Sequence, residues 1–175
     1  PTPTPAACPE TPAPQSATSS NETPDLSKYV TVQGNQLLLH KQPFRIKGVN
    51  YYPRLAPWRQ FLVESKLEDI ATELSLIQQA GFNTIRIFLR YEPLFACDPK
   101  NAVPVDTVFA KVDALLELAR QRQLRIIVTL NDLPDLYYRP LYTDWARYDA
   151  QTAYIVRRYH SDPNILAWDL RNEGD

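Results

Sequence analysis

Polar and aromatic side chains gather at four nearly evenly spaced places in this chain. Asn50, Tyr51 and Tyr52 come first, followed by Arg54 and Trp58. Arg86 opens the second group, with Arg90, Tyr91 and Glu92. Asn131, Asp132 and Asp135 precede Tyr137 and Tyr138 in the third, and Arg171, Asn172 and Glu173 form the last. Amides, carboxylates, guanidinium groups and rings in that mixture suit a sugar. Rings stack on the C–H faces of a pyranose, and amides and acids hydrogen-bond its hydroxyls. Each group also has a plainer role: Glu173 as a helix-capping loop carboxylate, Asp132 and Asp135 as turn formers about Pro134, the tyrosines and Trp58 as packing aromatics. His40 and His160 have no metal-like companions. Cys8 and Cys97 match no zinc pattern and make no disulfide framework, though a bridge between them stays open, so neither metal nor cofactor is expected.

The elements that must position these groups are legible from periodicity. Tyr29–Gln33 alternates and is β-branched, Gly34-Asn35 supplies a turn, and Gln36–His40 completes a hairpin. A second turn, Lys41-Gln42-Pro43, leads into Phe44–Asn50, expected as the first buried strand. Ser65-Lys66-Leu67-Glu68 reads as a capping box, Leu67, Ile70, Leu74 and Ile77 follow at helical spacing, and Gly81 stops the helix. Strand Phe82–Leu89, helix Phe109–Gln123 and strand Leu124–Leu130 come next. A third helix carries Trp145, Tyr148, Thr152, Ile155, Val156 and Tyr159, and Asn164–Leu170 is a fourth strand.

Such alternation predicts an α/β fold of parallel strands joined by crossover helices. The strand centres Ile46, Ile85, Ile127 and Ala167 lie 39, 42 and 40 residues apart. A steady repeat of this kind closes as a barrel or stays open as a doubly wound sheet, and the pattern leaves both available. Val49-Asn50-Tyr51-Tyr52-Pro53 has no glycine cradle for a phosphate, which argues against a dinucleotide fold. In either architecture the working residues sit at the C-terminal strand ends, where the four polar groups fall. Asp169 and Arg171 alternate with Trp168 and Leu170, so an inward ion-pair layer that includes Arg86 is expected.

Composition separates a tail from a body. Seven of the 16 prolines lie in the first 24 of 175 residues, so residues 1–25 read as a Pro/Thr/Ser-rich linker that buries too little apolar surface to fold. With no Met in the chain, Pro1 is expected to be a processed or trimmed end. Apolar content of 44% fits a packed body, and a net charge of −1 argues against nucleic acid as partner. No apolar run reaches the roughly 20 residues of a membrane span.

Trp168-Asp169-Leu170-Arg171-Asn172-Glu173 resembles the fourth-strand motif of clan A glycoside hydrolases, a tryptophan followed four residues on by Asn-Glu. Phe44–Tyr52 resembles the first strand of glycoside hydrolase family 5 and its relatives. Gly81-Phe82-Asn83-Thr84-Ile85-Arg86 resembles their second. The resemblance spans Tyr29 to Asp175. It implies a (β/α)8 TIM barrel, of which residues 26–175 carry the N-terminal hairpin and the first four strands. It implies a retaining glycosidase acting on β-linked poly- or oligosaccharides, at the cell surface or outside the cell. Glu173 is then the general acid/base, Asn172 the partner of the sugar 2-hydroxyl, and Arg86 the support of the nucleophile. Asn50, Tyr51, Tyr52, Trp58, Asn131, Asp132 and Tyr137 are expected to bind substrate. The nucleophile, a second glutamate, is expected on a seventh strand in a C-terminal half outside this sequence, since a whole barrel takes about 250 residues. Gly174 stands where the family commonly has Pro, and Asn131-Asp132 where it often has a histidine. A carbohydrate-binding barrel or half-barrel scaffold without catalysis is the alternative reading.

Overall fold

The computed structural model describes residues 25–96, 103–130 and 145–172. After a short 3-10 turn at Leu26–Lys28, three strands form an antiparallel sheet: β1 (Thr31–Gln33), β2 (Gln36–Leu39) and β3 (Gln42–Pro43). Gly34 makes the first turn at φ +60, a left-handed conformation that costs glycine little. β4 (Gly48–Asn50) then leads through a loop and a short helix, α1 (Phe61–Glu64), to α2 (Leu67–Gln79). β5 (Thr84–Phe88) is followed by α3 (Tyr91–Leu94) and a small antiparallel pair, β6 (Phe95–Ala96) and β7 (Val103–Pro104). Last come α4 (Asp106–Gln121), β8 (Arg125–Thr129), α5 (Trp145–Tyr159) and β9 (Ile165–Asp169).

β4, β5, β8 and β9 lie side by side in that order and all pairings are parallel. Each crossover carries a helix, as parallel neighbours require. The helix-facing layer is apolar: Ile85, Ile87, Ile126 and Val128 of the sheet join Ile70 and Leu74 of α2 and Phe109, Leu115 and Ala119 of α4 in one core. Each large side chain buried there contributes about 1.5–3 kcal/mol. Phe109 sits edge-to-face with Phe95 at 5.5 Å and with Tyr154 of α5 at 5.3 Å. A polar lock joins α4 to α5: the Tyr159 hydroxyl donates to Asp113 Oδ1 at 2.7 Å and Arg158 Nη2 to Asp113 Oδ2 at 2.6 Å.

Two expectations need correction. The capping box at Ser65–Glu68 does not form. α2 starts from Lys66 with no side-chain cap, because the Ser65 hydroxyl donates to the Phe61 carbonyl one turn earlier. The first strand is not a long buried one either. Only Gly48–Asn50 pairs, on the edge of the sheet, and Ile46 remains 46% exposed. Before Gly48 the Lys47 N–H donates to Asn83 Oδ1 and the Arg45 carbonyl accepts from Asn83 Nδ2, so the segment is not a ladder strand and no alternation turns Ile46 toward the helices. Gly48 owes its place to close approach, since a Cβ there would meet the Thr84 carbonyl at 3.2 Å. The linker assigned to residues 1–25 lies, apart from Asp25, outside the described residues, as do Cys8 and Cys97.

Candidate active site

Register places the polar residues in two layers across the sheet. Asn50 pairs with Arg86, Arg86 with Ile127, and Ile127 with Ala167. One step toward the C-terminal ends, Phe88 pairs with Thr129 and Thr129 with Asp169. Strand alternation sends these side chains away from the helices, because Ile85 and Ile87 of β5 and Ile126 and Val128 of β8 already occupy the helix-facing side.

Arg86 spans the two layers. Its Nε donates to Asp169 Oδ2 at 3.1 Å and its Nη2 donates to the same oxygen. Nη2 also reaches Asn172 Oδ1 at 3.2 Å. The Thr129 hydroxyl donates to Asp169 Oδ2 at 2.9 Å. Partial burial works against the Asp169 charge. The hydrogen bonds from Arg86 and Thr129, and then the Arg86 charge, outweigh it and hold the carboxyl below its ordinary range. Arg86 is therefore a fixed cation at the mouth of the parallel sheet. Its bond to Asn172 Oδ1 settles which end of that amide is oxygen, and makes the other end a donor.

Aromatic rings flank this network. The Arg86 guanidinium lies over the Phe88 ring at 4.4 Å, and Tyr52 stacks on Phe88 at 5.0 Å and 15°. A guanidinium on a ring face gains cation–π attraction beyond its hydrogen bonds. Trp58 follows on the same loop and is 69% exposed, with φ +53.

Not every predicted residue faces outward. Asn50 is exposed at the end of β4 and Tyr52 is half-buried against Phe88. Tyr51, expected to line a sugar cleft, is instead 4% exposed, packed edge-to-face on Phe61, with its hydroxyl donating to Glu73 Oε2 at 2.9 Å. Burial, the Glu73 hydrogen bond and the Glu73 charge all push that phenol above its usual range. The local reason is the strand itself: Tyr51 N donates to Arg86 O and extends the ladder by one residue, which turns its side chain to the helix side. Tyr91 is likewise buried, with its hydroxyl 2.7 Å from Thr152 Oγ1. Asn131, Asp132, Tyr137 and Glu173 lie outside the described residues. No group of His, Cys, Asp or Glu suited to a metal occurs among the described residues.

Sequence reading passed over Thr129 and Phe88. Both sit at even spacing from inward-facing residues of their strands, which was the available signal. Glu73, 13 residues from Arg86 and set in a helix, carried no such signal.

Known proteins share this fold. The family model for Cellulase (glycosyl hydrolase family 5) matches residues 39–174. No curated protein matches the chain. Among solved structures, the endo-1,4-beta-mannanase from Rhizomucor miehei superposes with a TM-score of 0.63 at 20% identity, over 83% of this chain and 48% of that one. The exo-beta-1,4-mannosidase Op5Man5 from Opitutaceae bacterium strain TAV5 gives 0.64 at 23% identity, over 87% of this chain and 28% of that one. A GH5_18 protein from Streptomyces cattleya gives 0.57 at 23%, over 72% of this chain and 33% of its own. This chain thus spans half or less of the length of these structures. The four parallel strands with their helices are part of a (β/α)8 barrel, and the chain belongs to glycosyl hydrolase family 5.

Proposed function

We propose that this chain supplies the acid/base half of a retaining glycosidase active on β-linked glycans outside the cell. The observation that carries the reading is the Arg86–Asp169–Asn172 network at the C-terminal ends of β5 and β9, in a chain of this family. Glu173 follows Asn172 directly in sequence. In the proposed cycle Glu173 protonates the departing glycosidic oxygen, then deprotonates the incoming water. Asn172, oriented by Arg86, donates to the sugar 2-hydroxyl, a contact that strengthens as the oxocarbenium-like state develops. The Arg86 charge favours a carboxylate nucleophile from another part of the barrel. Tyr52 and Trp58 offer ring faces to the glycan.

β-1,4-mannosides are the first substrates to try, since a mannanase and a mannosidase are among the structural neighbours. In the complete barrel, Glu173→Ala should abolish hydrolysis of a β-1,4-mannan or β-glucan. An activated aryl group leaves without acid, and azide, already an anion, takes the glycosyl group from the nucleophile without a general base, so azide should partly restore activity on an activated aryl glycoside. Full activity of Glu173→Ala on the natural glycan would refute the assignment.

A further inference from the structure

In the loop of residues 51–60, between β4 and α1, two residues three apart are held by one helix side chain. Glu73 of α2 accepts the Tyr51 hydroxyl on Oε2 at 2.9 Å and the Arg54 backbone N–H on Oε1 at 3.0 Å. Both carboxylate oxygens are thus committed to the same loop, three residues apart. Tyr51 is joined at its other end to the candidate active site, because its backbone N–H donates to the Arg86 carbonyl at 2.9 Å. Between Tyr51 and Trp58 the loop has little freedom of its own. Pro53 and Pro57 have restricted φ, the Ala56 N–H donates to Pro53 O at 3.3 Å, and the Gln60 N–H donates to Pro57 O at 3.2 Å.

The loop ends in a conformation that needs such support. Trp58 adopts φ +53, a left-handed geometry unfavourable for a bulky residue, yet it leaves its ring 69% exposed. Backbone strain of this kind persists only where the surrounding chain over-determines it. Two contacts do so. Phe61, 1% exposed and three residues on, meets Tyr51 edge-to-face at 6.2 Å and Tyr52 at 5.9 Å. The Glu73 carboxylate anchors the near end.

We infer that Glu73 is a positioning residue: by clamping Tyr51 and Arg54 it holds the 51–60 loop so that the Trp58 ring is presented in a fixed place to an extended glycan. The inference rests on the glycosidase reading for its ligand, and not for the clamp. Glu73 touches no reacting atom in this arrangement. Its effect passes through the loop, and so through binding of sugar units that reach Trp58.

Two readouts on the complete barrel test it, for Glu73→Ala, Glu73→Gln and Trp58→Ala. In Glu73→Ala, hydrogen exchange at the Arg54 amide should quicken about tenfold or more, the scale of one lost charged hydrogen bond. KM for a β-1,4-mannohexaose should rise several-fold, as it should in Trp58→Ala, while kcat of Glu73→Ala stays within about twofold. Glu73→Gln should restore most of both effects, because its carbonyl still accepts the Arg54 N–H. An unchanged Arg54 amide in Glu73→Ala overturns the clamp. A faster amide with unchanged KM for the hexasaccharide overturns the positioning role. If the unaltered protein hydrolyses no glycan, the glycosidase reading falls, and the amide exchange still decides the clamp.

Discussion

Arg86 on β5 and Asp169 on β9 meet across β8, their strands separated by the one that carries Thr129, and the guanidinium reaches one layer along the sheet to make the contact. A parallel sheet offers this geometry only when register is fixed, because a slip of one residue would turn Asp169 to the helix side. The pair therefore reports strand order, register and the polar site at once. Its side chains are 26% and 29% exposed, so solvent screens it incompletely.

Removing the cation should cost stability in a pH-dependent way. The Asp169 carboxyl titrates below its ordinary 3.8 in the folded protein. A lowered folded pKa stabilises above the unfolded value and is lost as pH falls through the folded one. Arg86→Met should therefore destabilise the protein by about 1–3 kcal/mol at neutral pH. The gap between the two proteins should close as pH drops below about 4. Urea unfolding at pH 7 and pH 3 measures it. A gap independent of pH would assign the effect to the stacking of Arg86 on Phe88 instead.

Asn172 should act on the transition state more than on binding. In the complete barrel, Asn172→Ala should lower kcat by about tenfold or more with a smaller change in KM, because the proposed 2-hydroxyl contact would strengthen along the reaction. Steady-state kinetics on a β-1,4-mannoside gives the split. A change confined to KM would mean that the amide only binds.

Two phenols should resist alkali. Burial pushes Tyr51 and Tyr159 up, and hydrogen bonds to Glu73 and Asp113 push further in the same direction. Unfolded tyrosine ionises near pH 10, so the unfolded chain loses these protons first and folding stability must fall as pH rises beyond about 10. Phenolate absorbance followed from pH 9 to 12 should show these two tyrosines silent until the protein unfolds. Tyr51→Phe and Tyr159→Phe should leave the early part of the curve unchanged.

The α4–α5 contact has a polar and an apolar component that mutate differently. Tyr159→Phe keeps the ring and leaves Asp113 paired with Arg158, and should cost about 1 kcal/mol. Phe109→Ala empties the space between Phe95 and Tyr154 and should cost about 3–5 kcal/mol. Thermal melts of the two variants should therefore differ clearly. Equal losses would mean that the Asp113 bonds, and not the rings, join the helices.

By itself the sequence determined the alternation of strands and helices, the even spacing of β4, β5, β8 and β9, and the residue types at their C-terminal ends. Those features rest on local periodicity and on side-chain chemistry, both readable one segment at a time. It also pointed to Arg86 and Asp169 facing each other, because strand alternation assigns sides without knowledge of neighbours. Tertiary structure alone decided the rest. That the ladder runs one residue past Asn50 and turns Tyr51 to the core is set by its bond to the Arg86 carbonyl, and the partner of the buried hydroxyl, Glu73, lies 22 residues away on another element. Thr129 matters only because β8 lies between β5 and β9. The Ser65 hydroxyl bonds back to Phe61 and not forward into α2, a choice between two local partners that the packing of α1 settles. Hydrogen-bond partners and solvent exposure are properties of pairs and layers, and a one-dimensional pattern specifies them only where both members are already placed.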